Sequence, residues 1–303
     1  MKRFIQLIVV LGIIGLAVFY VVTMPKTLES GALAGGDADL SNGETMFNVG
    51  GCSSCHAVPK ASGEAKLVLA GGHEFKTDFG IFYAPNISPD PTHGIGAWTE
   101  LQFANALVHG VSPQGQHYYP AFPYTSYKNM TMADVRDLFA YMQTLPVSDV
   151  ASKEHAVGFP FNIRRSLGGW KFLYYGRGNK VAGDTGPGGN NRGAYLVNGP
   201  GHCGECHTPR DFLGGWKNGQ AFAGGPNPDG PGKIPNITPG ASTVGSWSVD
   251  EIVEYLDSGF TPDFDSAGGT MADVVANTAK LSADDRRAIA EYIKSVPAIE
   301  NGN

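Results

Sequence analysis

Two short stretches decide how this chain is read: Gly51-Cys52-Ser53-Ser54-Cys55-His56 and His202-Cys203-Gly204-Glu205-Cys206-His207. They hold all four cysteines of the 303 residues, in one Cys-x-x-Cys-His pattern repeated 151 positions apart. This is the attachment pattern of c-type haem. Two thiols add to the vinyl groups of the ring, and the imidazole of the next residue becomes an axial ligand of the iron. The spacing matters because one turn between the cysteines sets both sulfurs at the ring edge and the imidazole beneath the metal. A single Cys₄ zinc site would require neither histidine nor a duplicated unit. Two redox-active disulfides would need a βαβ setting, which the sequence does not offer. The reading is two covalently bound haem c groups, attached at Cys52, Cys55, Cys203 and Cys206, with His56 and His207 on the irons.

The surroundings of the motifs repeat as well. Pro85-Asn86-Ile87-Ser88-Pro89 matches Pro235-Asn236-Ile237-Thr238-Pro239, and Gly96-Ala97-Trp98-Thr99 matches Gly245-Ser246-Trp247-Ser248. Tyr141 and Pro146 match Tyr292 and Pro297. A near-constant offset of this kind means one unit of about 100 residues present twice. Thr99 with Gln102, and Ser248 with Glu251, form capping boxes, and Gly110 and Gly259 stand where a left-handed helix end is wanted. Each unit closes on a helix that starts near Thr131 or Ser282 and stops at Pro146 or Pro297, with apolar residues at helical period. Strand-like alternation is almost absent. The expected fold is all-α, with one tandem domain at 39–147, a strap at 148–188 and the second domain at 189–299. Arg164, Arg165, Trp170, Lys171, Phe172, Tyr174 and Tyr175 make 148–188 too aromatic for a free tether. It is expected to pack across both domains, with Gly183 to Asn191 as a flexible connection. The arginine pair could instead neutralise cofactor carboxylates or dock a partner.

A haem iron in an electron carrier takes a sixth ligand, and methionine opposite histidine raises its potential. In the second unit Met271 is the expected ligand: it is the only methionine after residue 142 and is read as lying in a loop before the last helix. In the first unit the partner of Met271 at the local offset is Phe122, which cannot ligate iron. Met130 is taken as the ligand, with His117 as the alternative; Met46, Met132 and Met142 are read as helix or core residues. His73, His93, His109, His155 and His202 lack metal-ligand spacing, and most of them are read as loop or surface residues.

Lys2 and Arg3 precede an apolar run from Phe4 to Thr23, and about 20 such residues span a bilayer core. The run exceeds the roughly 7–15 residues of a cleaved signal, and the small-residue site Ala32-Leu33-Ala34 lies well past it. Residues 4–23 are therefore read as a single-pass membrane anchor, 24–38 as a linker, and the rest as lying outside the cytoplasm. A formal charge of −6 lacks the basic footprint of a nucleic-acid binder. The 42 glycines and 20 prolines fit many turns between short elements.

Three segments carry a resemblance: Tyr119-Pro120-Ala121-Phe122-Pro123-Tyr124 with Met130, Gly201 to Arg210 around the second motif, and Gly259-Phe260-Thr261-Pro262-Asp263 leading to Met271. Here the chain resembles the membrane-anchored dihaem cytochrome c proteins of proteobacteria, related to the cytochrome c subunits of periplasmic alcohol, aldehyde and sugar dehydrogenases. Many of those subunits carry three Cys-x-x-Cys-His motifs, and some have methionine where this chain has Phe122. The resemblance implies class I cytochrome c domains, haem attachment in the bacterial periplasm with the anchor in the inner membrane, and one-electron transfer; the chain is expected to be an electron carrier and not an enzyme. The expected partners are a periplasmic dehydrogenase or a cytochrome bc1-type complex as donor, and a soluble cytochrome c or terminal oxidase as acceptor. Two rival readings are a dihaem peroxidase and a haem-bridging subunit of a respiratory supercomplex.

Overall fold

The computed structural model describes residues 1–33, 35–177, 191–217, 219–227 and 232–300. Most of the Gly183–Asn191 connection, and Ala34 of the small-residue site, lie outside them. The chain opens with α1 (Lys2–Val22), 21 residues long, none of them buried against the rest of the protein. It is long and apolar enough to cross a membrane. It ends at Thr23, whose hydroxyl donates back to the Phe19 carbonyl.

The first unit then begins. Asp39 caps α2 (Leu40–Val49) by accepting the Ser41 and Asn42 N–H groups, which satisfies orphan donors of the first turn. Gly51, at φ 57°, turns the chain into α3 (Cys52–His56). A short hairpin follows, β1 (Glu74–Thr77) antiparallel to β2 (Gly80–Tyr83), with Glu74 opposite Tyr83. The expected capping box of Thr99 and Gln102 starts α4 (Glu100–Ala104), which continues through Asn105–His109 until Gly110 ends it at φ 58°. Next come α5 (Tyr124–Tyr127) and α6 (Met132–Met142), the latter capped by the Thr131 hydroxyl.

The strap carries α7 (Leu167–Tyr174). The second unit repeats the first with α8 (Arg192–Asn198), α9 (Gly204–His207), and the hairpin β3 (Gly225–Pro226) with β4 (Lys233–Ile234). It continues with α10 (Val249–Ser258), boxed by Ser248 and Glu251 and ended by Gly259 at φ 80°, then α11 (Thr270–Thr278) and α12 (Ala283–Ser295), capped by Ser282. Helices dominate both units. The two hairpins depart from an all-α expectation, and they are too short for their alternation to have shown as a strand pattern.

In each unit the first helix crosses the last: α2 packs on α6 and α8 on α12. A glycine makes each crossing close. A Cβ on Gly43 would overlap the Asp137 carbonyl, and one on Gly193 would overlap that of Ala288. Around these crossings lie the fully buried Met46, Phe47, Val135, Tyr195, Leu196 and Ala290. In the second unit Arg192 grips Asp285 through two bonds of 2.8 and 3.0 Å, both groups buried.

Helix α7 holds on to both units. The Lys171 ammonium donates to the carbonyls of His109 (2.6 Å) and Gly110 (2.8 Å), and Tyr175 donates to Val108. On the other side Trp170 donates to the Leu213 carbonyl (3.0 Å) and Tyr174 to Asp211 (2.8 Å). The two arginines are engaged with protein: Arg164 donates to the His117 carbonyl and lies over the Tyr119 ring, while Arg165 donates to the Thr23 hydroxyl and the Tyr20 carbonyl.

Candidate haem sites

Each Cys-x-x-Cys-His motif forms one short helix, so both cysteines and the histidine emerge within a single turn. No disulfide joins the four cysteines. Burial pushes the Cys52 and Cys203 thiols up to about 12. The histidines are oriented alike: Nδ1 lies 2.8 Å from the Pro85 carbonyl for His56 and 2.8 Å from the Pro235 carbonyl for His207. A carbonyl only accepts, so Nδ1 carries the hydrogen and Nε2 keeps its lone pair for a metal. Burial lowers both imidazole pKa values, against the pull of the proline carbonyls, and so favours the neutral, ligating form. The repeated Pro-Asn-Ile-x-Pro segment thus has a physical role. Its proline carbonyl sets the ring, and its asparagine side chain ties the segment to the chain that follows the last helix of its unit, at Ser148 and Val150 or at Ile299.

A cavity of about 1500 Å³ runs from the first motif to the second, with Cys52, Cys55, His56, Met130 and Met142 of the first unit and Cys206 of the second in its wall. Its size, its apolar wall and a ready imidazole fit a porphyrin. Met130 follows α5 immediately before the α6 cap and is 4 % exposed. Phe122 also lines the cavity. The bridges Val111 to His117 and Phe260 to Ser266 fall at the same offset as Phe122 and Met271, so the two occupy matching places in the repeat.

His117 stands elsewhere. It is buried, with Nε2 2.9 Å from the Thr23 carbonyl, and it is not among the residues lining the cavity. Met271 lies in the first turn of α11 rather than in the expected loop, because the Gly268-Gly269 turn lets the helix begin at Thr270. It is partly buried and packs against the core.

Sequence reasoning missed the groups that join the motifs. Glu205 and Ser54 occupy the same position between their cysteines, and each bonds to the opposite unit. Ser54 accepts from Asn277 on α11 (2.8 Å). Glu205 accepts from the Thr125 (2.6 Å) and Ser126 (2.7 Å) hydroxyls of the first unit, and from Arg210 (2.6 Å) and Trp216 (3.2 Å) of its own. Burial would raise the Glu205 carboxyl, but the Arg210 charge and the two hydroxyls outweigh it and hold it below its usual value. His202, which lacks metal-ligand spacing, sits with Nε2 3.2 Å from the Gly50 carbonyl across the same seam. A carboxylate between two cysteines destined for burial was the available signal.

These paired sites define a class: a tandem protein with one haem-binding turn per unit. The chain belongs to the cytochrome c family, whose model matches residues 40–146 and again 191–297. It holds two covalently bound haem c groups, and its role is electron transfer. It is similar to a diheme cytochrome c-type protein of Cereibacter sphaeroides, 57 % identical over 92 % of this chain and 93 % of that protein. It is also similar to the fructose dehydrogenase cytochrome subunit of Gluconobacter japonicus (40 % identical, 86 % of this chain and 53 % of that one). A third relative is the cytochrome c subunit of the quinone alcohol dehydrogenase of Gluconobacter oxydans (37 % identical, 90 % and 58 %). The chain spans little more than half the length of these two dehydrogenase subunits.

Proposed function

We propose that this chain is a membrane-tethered periplasmic relay that accepts electrons from a dehydrogenase and passes them to a soluble cytochrome c or a terminal oxidase. The single observation that carries it is the seam between the units, where each Cys-x-x-Cys-His turn is bonded to the other unit through Ser54 or Glu205. Two redox sites held this way can share electrons within one chain. The bound haems supply a one-electron Fe²⁺/Fe³⁺ couple.

In this reading the first domain is 39–147, attaching its haem at Cys52 and Cys55 with His56 and Met130 as axial ligands. The second is 189–299, with Cys203, Cys206, His207 and Met271. The polypeptide's own work is to fix the imidazoles through Pro85 and Pro235 and to keep water from the ring faces. Residues 4–23 are a single span of the inner membrane, and the tether raises the local concentration of the domains near membrane partners. Cytochrome subunits among the relatives belong to dehydrogenases, which supports that class of donor. Affinity purification from native membranes, followed by redox titration, tests the reading. A co-purifying dehydrogenase whose substrate reduces both haems is the expected result. Peroxide turnover in place of such reduction would overturn it.

A further inference from the structure

The end of α1 and the strap are built as one piece. Arg165 donates to the Thr23 hydroxyl (2.8 Å) and the Tyr20 carbonyl (2.6 Å), and its guanidinium stacks over the Tyr20 ring at 4.4 Å. Gly168 presses on Thr23 so closely that a Cβ there would come 2.5 Å from the Thr23 Cα. His117 closes the joint at the Thr23 carbonyl. Wherever the apolar helix leaves a bilayer, the strap must therefore lie at that surface.

The strap's outer face has the matching chemistry. Phe159 is 80 % exposed, Phe172 73 % and Ile163 45 %. None of the three lines the cavity, so a haem there does not account for their exposure. Arg164 and Lys171 face the protein, but Arg165 and Arg177 are partly exposed, and the segment 159–177 carries no acidic residue in a chain whose formal charge is −6. Exposed apolar side chains with basic groups beside them and no acidic one are the combination that seats a segment in the headgroup layer.

We infer that the strap 159–175 docks on the lipid surface beside α1, with Phe159, Ile163 and Phe172 entering the headgroup region. The haem domains then hang from the membrane by a fixed seat rather than by a loose tether. This inference rests on the reading of α1 as a retained anchor.

The test is photolabelling of the full-length holoprotein in nanodiscs of mixed zwitterionic and anionic lipids carrying an acyl-chain diazirine, with adducts mapped by mass spectrometry. Peptides of α1 and of 159–175 should both be labelled, the strap roughly tenfold above the peptide bearing Phe264, which is 97 % exposed in the second unit. Labels on α1 with strap yields no higher than that of Phe264 would overturn the docking and leave the anchor standing. Absence of residues 2–22 from the purified membrane protein would overturn both.

Discussion

At the scale of single residues the axial ligands carry the sharpest expectations. Met271→Leu should remove the low-spin signal of the second haem and lower its potential, because a thioether opposite histidine favours the reduced iron. Met130→Leu should do the same to the first haem, whereas His117→Ala, which loses only a contact to Thr23, should leave both signals in place. Optical and electron paramagnetic resonance spectra with a redox titration decide among the three. A normal first haem in Met130→Leu would remove the assignment. A second expectation concerns His155, whose Nδ1 accepts the Tyr83 N–H (3.1 Å). Burial, with Arg164 nearby, lowers it from 6.5 to about 4. The folded state therefore binds this proton later than the unfolded chain does. The associated stability is complete above pH 6.5 and is lost as pH falls toward 4. Melting temperatures of the holoprotein should fall through that window, and His155→Gln should reduce the slope; parallel profiles would contradict the account. The turn that gathers each Cys-x-x-Cys-His set was legible because its five residues are contiguous in the chain. Glu205 and His202 were not, because a bond to residues 79 or 152 positions away leaves no local pattern.

At the scale of elements, the glycines at the helix crossings set how closely the first and last helices of each unit can approach. Gly43→Ala and Gly193→Ala each place a methyl group against a carbonyl of the facing helix. Overpacking of this kind costs about 1–3 kcal/mol, and calorimetry of each variant should show it as a lowered melting temperature. An unchanged melting profile would mean that the crossing relaxes freely. The capping boxes are cheaper: Thr99→Ala or Ser248→Ala should cost about 1 kcal/mol. These caps, the stops at Gly110 and Gly259 and the starts at Thr131 and Ser282 could all be read in advance, since each is a local hydrogen-bonding requirement. The glycines at the crossings could not, because their meaning depends on a partner helix about 95 residues away in the chain. The same holds for the short hairpins, whose pairing owes more to the turn than to any alternation.

At the scale of the whole molecule, the seam makes the two units one cooperative body. Glu205→Gln weakens the hold of Thr125, Ser126 and Arg210 on the second motif. Calorimetry of the wild-type holoprotein should give a single transition, and that variant should separate into two; a single unshifted transition would show that other contacts carry the seam. The duplication itself was plain from the sequence, but how the copies face each other was not. Their reciprocity has a consequence of its own. Ser54 and Glu205 hold equivalent positions, and each reaches the helix that follows the glycine-ended helix of the other copy. That is the contact logic of an isologous homodimer, in which one patch meets its own likeness across a two-fold axis. Here both protomers are threaded on one chain, so the dimer forms at a fixed one-to-one ratio and at any dilution. Because the halves no longer need to be identical, each can adjust its own iron ligands and buried charge while the shared face is kept.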